Sequence, residues 1–164
     1  MNRKLRFIIV FLVLFLAALT VIPAQQQANE PSFFVGLIAE ALWYGIDAPA
    51  FGGGLIIGGG TGISIGGRVL YAAEANSISV LELGIFIRSY MDGKDAIDGL
   101  FIQFNAGMAI IDQSFPSLPA NKGSFTAGIE AGWRILLGGF YIDPVIRAGY
   151  PYMVGMGVSA GFRF

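Results

Sequence analysis

From Val154 to the carboxyl terminus an apolar side chain falls on every second residue. Val154, Met156, Val158, Ala160, Phe162 and Phe164 alternate with Gly155, Gly157, Ser159, Gly161 and Arg163. A period of two marks an extended strand with one apolar face, because successive side chains point to opposite sides of a pleated sheet. The pattern recurs along the chain. From Phe33, Val35, Leu37, Ala39, Ala41 and Trp43 alternate with Phe34, Gly36, Ile38, Glu40 and Leu42. Ile63, Ile65, Val69 and Tyr71 oppose Ser64, Gly66 and Arg68, and in 77–90 Leu81, Leu83, Ile85 and Ile87 oppose Glu82, Gly84, Phe86 and Arg88. In 99–111 the even residues from Leu100 to Ile110 are apolar, against Gln103, Asn105 and Gly107. In 124–137 the odd residues from Phe125 to Ile135 oppose Ser124, Thr126, Glu130 and Arg134; in 140–150 Phe140, Ile142, Ile146 and Ala148 oppose Tyr141, Asp143 and Arg147. Only 51–59 is so rich in glycine that neither face is defined.

Turn chemistry separates these segments. Gly45 to Ala50, with Asp47 and Pro49, reads as a loop, Gly60 to Gly62 as a break, and Glu74-Ala75-Asn76 as a tight turn. Asp92 to Asp98 is an acidic connection, Asp112 to Gly123 the longest loop, Gly138-Gly139 a two-residue hairpin turn, and Tyr150-Pro151-Tyr152 the last turn. The result is eight antiparallel strands with both chain ends on one side. Pro144 falls inside the seventh strand, where it cannot donate to the ladder, so a local bulge is expected there.

The distribution of charge decides what kind of all-β protein this is. Across the strands the apolar face carries no Asp, Glu, Lys or Arg; Glu40, Arg68, Glu82, Arg88, Glu130, Arg134, Asp143, Arg147 and Arg163 all fall on the other face. A soluble barrel would turn its apolar face inward and present a densely charged, lysine-bearing exterior. Here lysine is confined to turns, and the few cations on strands are arginines, which suit an enclosed lumen because a planar guanidinium holds a carboxylate in two bonds. The chain is 55% hydrophobic, yet beyond residue 24 no apolar run is long enough for a spanning helix. In lipid, a chain of strands satisfies its backbone only by closing into a barrel. Trp43, Tyr71, Tyr90, Trp133, Tyr150 and Tyr152 are placed as interface girdle residues would be.

Met1 to Ala24 stands apart. Arg3, Lys4 and Arg6 precede an apolar run and then Ile22-Pro23-Ala24, the layout of a cleaved secretory signal peptide; residues 25–164 are then the mature barrel. Without Arg3, Lys4 and Arg6, seven of the ten basic residues remain against eleven acidic ones, a formal charge of −4, which offers no surface for nucleic acid. There is no cysteine and no histidine. Thiol chemistry is excluded, and so is activation of a serine by histidine. Gly60 to Gly62 lacks the Lys-Ser/Thr ending of a phosphate loop, and Asp92, Asp95 and Asp98 lack the spacing of a calcium loop. No cofactor or metal is expected.

With its closing aromatic residue, the final strand resembles the C-terminal strand of bacterial outer-membrane β-barrels, and residues 25–164 resemble the small eight-stranded barrels of the OmpA membrane-domain and OmpX type. The resemblance implies an all-β, eight-stranded antiparallel transmembrane up-and-down barrel of a Gram-negative outer membrane, monomeric, in contact with lipid and with the barrel assembly machinery. It implies that Phe162 and Phe164 belong to the assembly signal. The function expected is structural or surface interaction, not catalysis, with a plugged lumen lined by Arg and Glu; the alternative is a narrow channel or carrier for small solutes. The Gly138-Gly139 turn places Glu130 opposite Arg147 and Arg134 opposite Asp143, and a loop at 74–76 places Arg68 opposite Glu82. Opposed side chains are about 5 Å apart at Cβ, so these pairs are expected to meet as ion pairs.

Overall fold

Alternation fixes which face of every strand but the glycine-rich second is apolar, and pairing along the chain then sets how the sheet closes. The computed structural model describes residues 32–43, 49–73, 78–91, 97–113 and 122–164. They form β1 (Ser32–Trp43), β2 (Pro49–Thr61), β3 (Ile63–Ala73), β4 (Ile78–Tyr90), β5 (Gly99–Gln113), β6 (Lys122–Leu137), β7 (Phe140–Tyr150) and β8 (Val154–Arg163). Each strand is antiparallel to the next, and β8 pairs with β1 to close the barrel. At the seam the Phe33 N–H donates to the Phe164 carbonyl (3.0 Å) and the Phe164 N–H to that of Phe33 (2.8 Å). Closure leaves no free edge to template further pairing. The signal-peptide segment, the turn at 74–76 and most of the acidic and longest connections lie outside the described residues.

The apolar rows face outward. Ile85, Met108 and Ile146 are 68%, 67% and 64% exposed, whereas Phe34, Phe86, Phe101 and Tyr141 on the opposite rows are buried. Strand β2, whose faces the sequence left undefined, takes its register from its neighbours: Gly58 pairs with Phe34 of β1 and with Gly66 of β3. Its inward row is Ala50, Gly52, Gly54, Ile56, Gly58 and Gly60, and at Gly58 inward aromatics from other strands occupy the space that a side chain would fill. A Cβ at Gly58 would sit 2.8 Å from Cζ of both Phe34 and Phe86. Gly58→Val should therefore destabilise the barrel by about 1–3 kcal/mol through overpacking, while Gly53→Val, outward on the same strand with only the Ile38 carbonyl at 3.6 Å, should change it little. Urea midpoints of the two variants check this; equal effects would mean that the aromatics do not need the glycine floor.

Four local expectations are corrected. Pro49 and Ala50 open β2 instead of closing a loop, and Lys122 opens β6, so one lysine does lie on a strand. Pro144 makes no bulge. Pairing of β6 with β7 keeps one register on both sides, from Leu137↔Phe140 to Ile135↔Ile142 and again from Gly132↔Val145 to Ala127↔Tyr150. The ladder omits the positions of Arg134 with Asp143 and Trp133 with Pro144, which is the consequence of a missing N–H donor without an inserted residue. Finally, β3 meets β4 two residues further along than a 74–76 loop implies: Leu70 lies opposite Glu82, and Arg68 opposite Gly84. A shift of two preserves the faces, so both side chains remain inward.

Candidate functional site

Inward-facing positions from five strands, β1, β3, β4, β6 and β7, gather the charged side chains. Glu40, Arg68, Glu82, Arg88, Glu130, Arg134, Asp143 and Arg147 are all between 0% and 5% exposed. Burying eight charges is costly unless each is paired and hydrogen-bonded. Four carboxylates and four guanidiniums meet that condition in two layers.

The layer nearer the chain termini is centred on Asp143. Arg134 grips it in a fork, Nε donating to Oδ1 at 2.8 Å and Nη2 to Oδ2 at 2.7 Å. Arg88 Nη1 donates to Oδ2 at 2.7 Å, and Ser159 Oγ lies 3.4 Å from the same oxygen. Arg88 Nε in turn donates to Gln103 Oε1 at 2.8 Å, and Gln103 Nε2 to Asn105 Oδ1 at 2.7 Å. Aromatic rings pack against the guanidinium faces that make no hydrogen bonds. Arg88 stands 3.8 Å from the Phe101 ring centre, and Arg134 lies 4.1 Å from that of Tyr141 and 4.3 Å from that of Phe34. Desolvated cation–π contacts of this kind contribute about 2 kcal/mol each.

The second layer joins three glutamates through two arginines. Arg68 donates to Glu40 (2.7 Å) and Glu130 (3.0 Å). Arg147 donates to the other oxygen of Glu40 (2.8 Å) and to Glu82 (3.0 Å). Tyr152 lies over Arg147, its ring centre 3.9 Å from the guanidinium carbon. Toward that end Leu42, Ala50, Leu70, Ala72 and Val80, each no more than 2% exposed, fill the barrel.

The sequence-predicted pair Arg134 with Asp143 meets as expected. The pair Glu130 with Arg147 does not. The two residues are directly opposed in the ladder, but Glu130 bonds Arg68 of β3 and Arg147 bonds Glu40 of β1 and Glu82 of β4. Long side chains in a narrow closed barrel reach across the axis as easily as along the wall, so nearest neighbours on the sheet need not be partners. Arg68 and Glu82, diagonal neighbours after the register correction, approach only to 3.8 Å. The girdle assignment also divides. Tyr71, Trp133 and Tyr150 are more than half exposed, whereas Tyr90 (5%) and Tyr152 (1%) point into the lumen. Phe162 faces outward against Phe140, ring centres 5.6 Å apart.

As chemistry, this arrangement immobilises charge. Each carboxylate is held by at least one guanidinium, and Glu130 and Asp143 belong to different layers. Among the described residues no cluster of His, Cys, Asp or Glu could hold a metal.

No family model matches the chain, and no curated protein does. Solved structures do. The chain is similar to the N-terminal β-barrel domain of Pseudomonas aeruginosa OprF, with a TM-score of 0.52 and 15% identity over 81% of this chain and 97% of that one. It is similar to Neisserial surface protein A, NspA, with a TM-score of 0.53 and 12% identity over 81% and 95%. It is also similar to Ail, the attachment invasion locus protein of Yersinia pestis, solved with the heparin analogue sucrose octasulfate, with a TM-score of 0.50 and 15% identity over 82% and 97%. At these identities the likeness is one of fold, and the chain has the architecture of the small eight-stranded outer-membrane β-barrels.

Proposed function

We propose that this protein is an integral outer-membrane barrel with a structural or surface-interaction role, its lumen closed by its own side chains. The observation that carries the reading is the pairing of the buried charges: each of the eight takes part in an ion pair of 3.0 Å or less, inside a wall whose outer rows are apolar except near strand ends, where Ser79 and Asp112 extend the outward rows of β4 and β5. An eight-stranded barrel is just wide enough for side chains to fill, and here arginines, glutamates and aromatic rings fill it. In this reading residues 1–24 direct export and are removed. Phe162 and Phe164, at the strand that zips to β1, form the segment recognised by the assembly machinery. Without histidine, the chain has none of the serine–histidine chemistry of barrel hydrolases.

The expressed protein should fractionate with the outer membrane and migrate as a compact species on gels until boiled. In a planar bilayer it should give no large, reproducible single-channel steps. Such steps would replace the closed-lumen reading with the channel reading, and recovery as a soluble protein would remove the membrane reading altogether.

A further inference from the structure

The outer wall is not uniform. A cleft of about 800 Å³ runs across it, lined by side chains from β1 to β6. Two neighbouring rows of the sheet define its course. One passes from Val35 to Ile57, Gly67, Ile85 and Ala106; the other passes from Leu55 to Val69, Leu83, Met108 and Phe125. Gly67 and Ala106 leave the floor low, while Ile85, Met108 and Phe125 stand out from the wall at 68%, 67% and 63% exposure. Val35 is only 9% exposed although it belongs to an outward row. Arg68 borders the cleft from within the wall, with its guanidinium turned into the lumen toward Glu40 and Glu130.

We propose that this cleft is a boundary site for one acyl chain of a bilayer lipid, held longer than the lipid around the rest of the barrel. The inference rests on the outer wall facing lipid, as proposed above. The volume falls in the range of about 300–1,000 Å³ common to ligand sites, but the outward side chains lining it are apolar, so it fits hydrocarbon and not a head group. Shape separates a lipid chain from a second copy of the barrel. With strands about 4.8 Å apart, the course from β1 to β6 is roughly 24 Å long and bends around more than half of the circumference. A rigid convex wall touches a cylinder along a narrow line and cannot enter such a path, whereas a flexible chain follows it. Strands of transmembrane barrels tilt by about 35–45°, so a row running across them is oblique to the membrane. A chain reaching halfway through a hydrocarbon core of about 30 Å would, laid obliquely, occupy much of that length.

The test uses the full chain in vesicles of phosphatidylethanolamine and phosphatidylglycerol containing a trace of phosphatidylethanolamine with a mid-chain diazirine. After photolysis, adducts are mapped by peptide mass spectrometry. Leu83, Ile85 and Met108 should carry a several-fold excess of adducts over Ile146 and Met156, which are comparably exposed on the opposite wall. Filling the cleft should abolish the excess. Gly67→Leu is suited to this, since a Cβ there would meet only the Gly84 carbonyl oxygen at 3.6 Å; Ala106→Phe is a second, independent filling variant. Insertion is read separately from the heat-dependent gel shift. Equal labelling of both walls in an inserted barrel, or an excess that survives filling, would overturn the site while leaving the membrane reading intact. Protein-to-protein cross-links that exclude lipid from the cleft would assign it to a second copy instead. A chain that does not insert at all would remove both proposals.

Discussion

Asp143→Ala should lower the stability of the folded barrel by about 3–5 kcal/mol, the cost of leaving a buried charge without its partner. Among the described residues Asp143 is the only carboxylate bonded by Arg88 and Arg134, and its own exposure is 0%. Removing it leaves two guanidiniums facing only neutral groups, Gln103 and Ser159 and the rings of Phe34, Phe101 and Tyr141, which stabilise cations less than a carboxylate does. Asp143→Asn keeps the shape and loses the charge, so it should fall close to alanine. The urea midpoint of the heat-modifiable species in detergent measures both. A loss under about 1 kcal/mol, as for a solvated surface pair, would mean that the layer is open to water.

The second large effect concerns partners in the glutamate layer. Arg68→Met should cost as much as removing Asp143, because Glu40 and Glu130 both lose a donor. A double-mutant cycle of Arg68→Met with Glu130→Gln should give a coupling near the upper end of the roughly 0.5–3 kcal/mol found within networks. The cycle of Arg147→Met with Glu130→Gln should give much less, since those side chains are opposed in the ladder without being bonded. If the larger coupling belongs to Arg147 and Glu130, pairing follows the sheet and not the cross-lumen geometry.

This contrast shows what the sequence could and could not convey. Parity along each strand is a local property, so the inward placement of all eight charges was legible, and so was the hairpin at Gly138-Gly139, whose turn length fixes its register. Tyr90 could have been placed as well: it shares the even row of β4 with Arg88, and its position at the strand end outweighed its parity. Tyr152 lies beyond the strand, where parity gives no guidance. The identity of ion-pair partners depends on the curvature of the closed wall, which no single hairpin contains; hence Arg134 with Asp143 was found and Glu130 with Arg68 was missed. In β2 glycine holds four of the six inward positions, and the role of Gly58 as a floor for Phe34 and Phe86 becomes visible only once strands distant in sequence share the lumen.

In the proposed membrane barrel one row of each strand meets lipid while the other fills the lumen. Solid-state NMR on the unmodified protein in vesicles distinguishes the two rows, with magnetisation transferred from lipid acyl-chain protons to side-chain carbons of β6. Transfer should build up quickly at Phe125, Ala127, Ile129, Ala131 and Ile135 and slowly at Thr126, Glu130 and Arg134. Fast transfer to the Thr126, Glu130 and Arg134 row, or no difference between the rows, would mean that these side chains do not fill a closed lumen shielded from lipid.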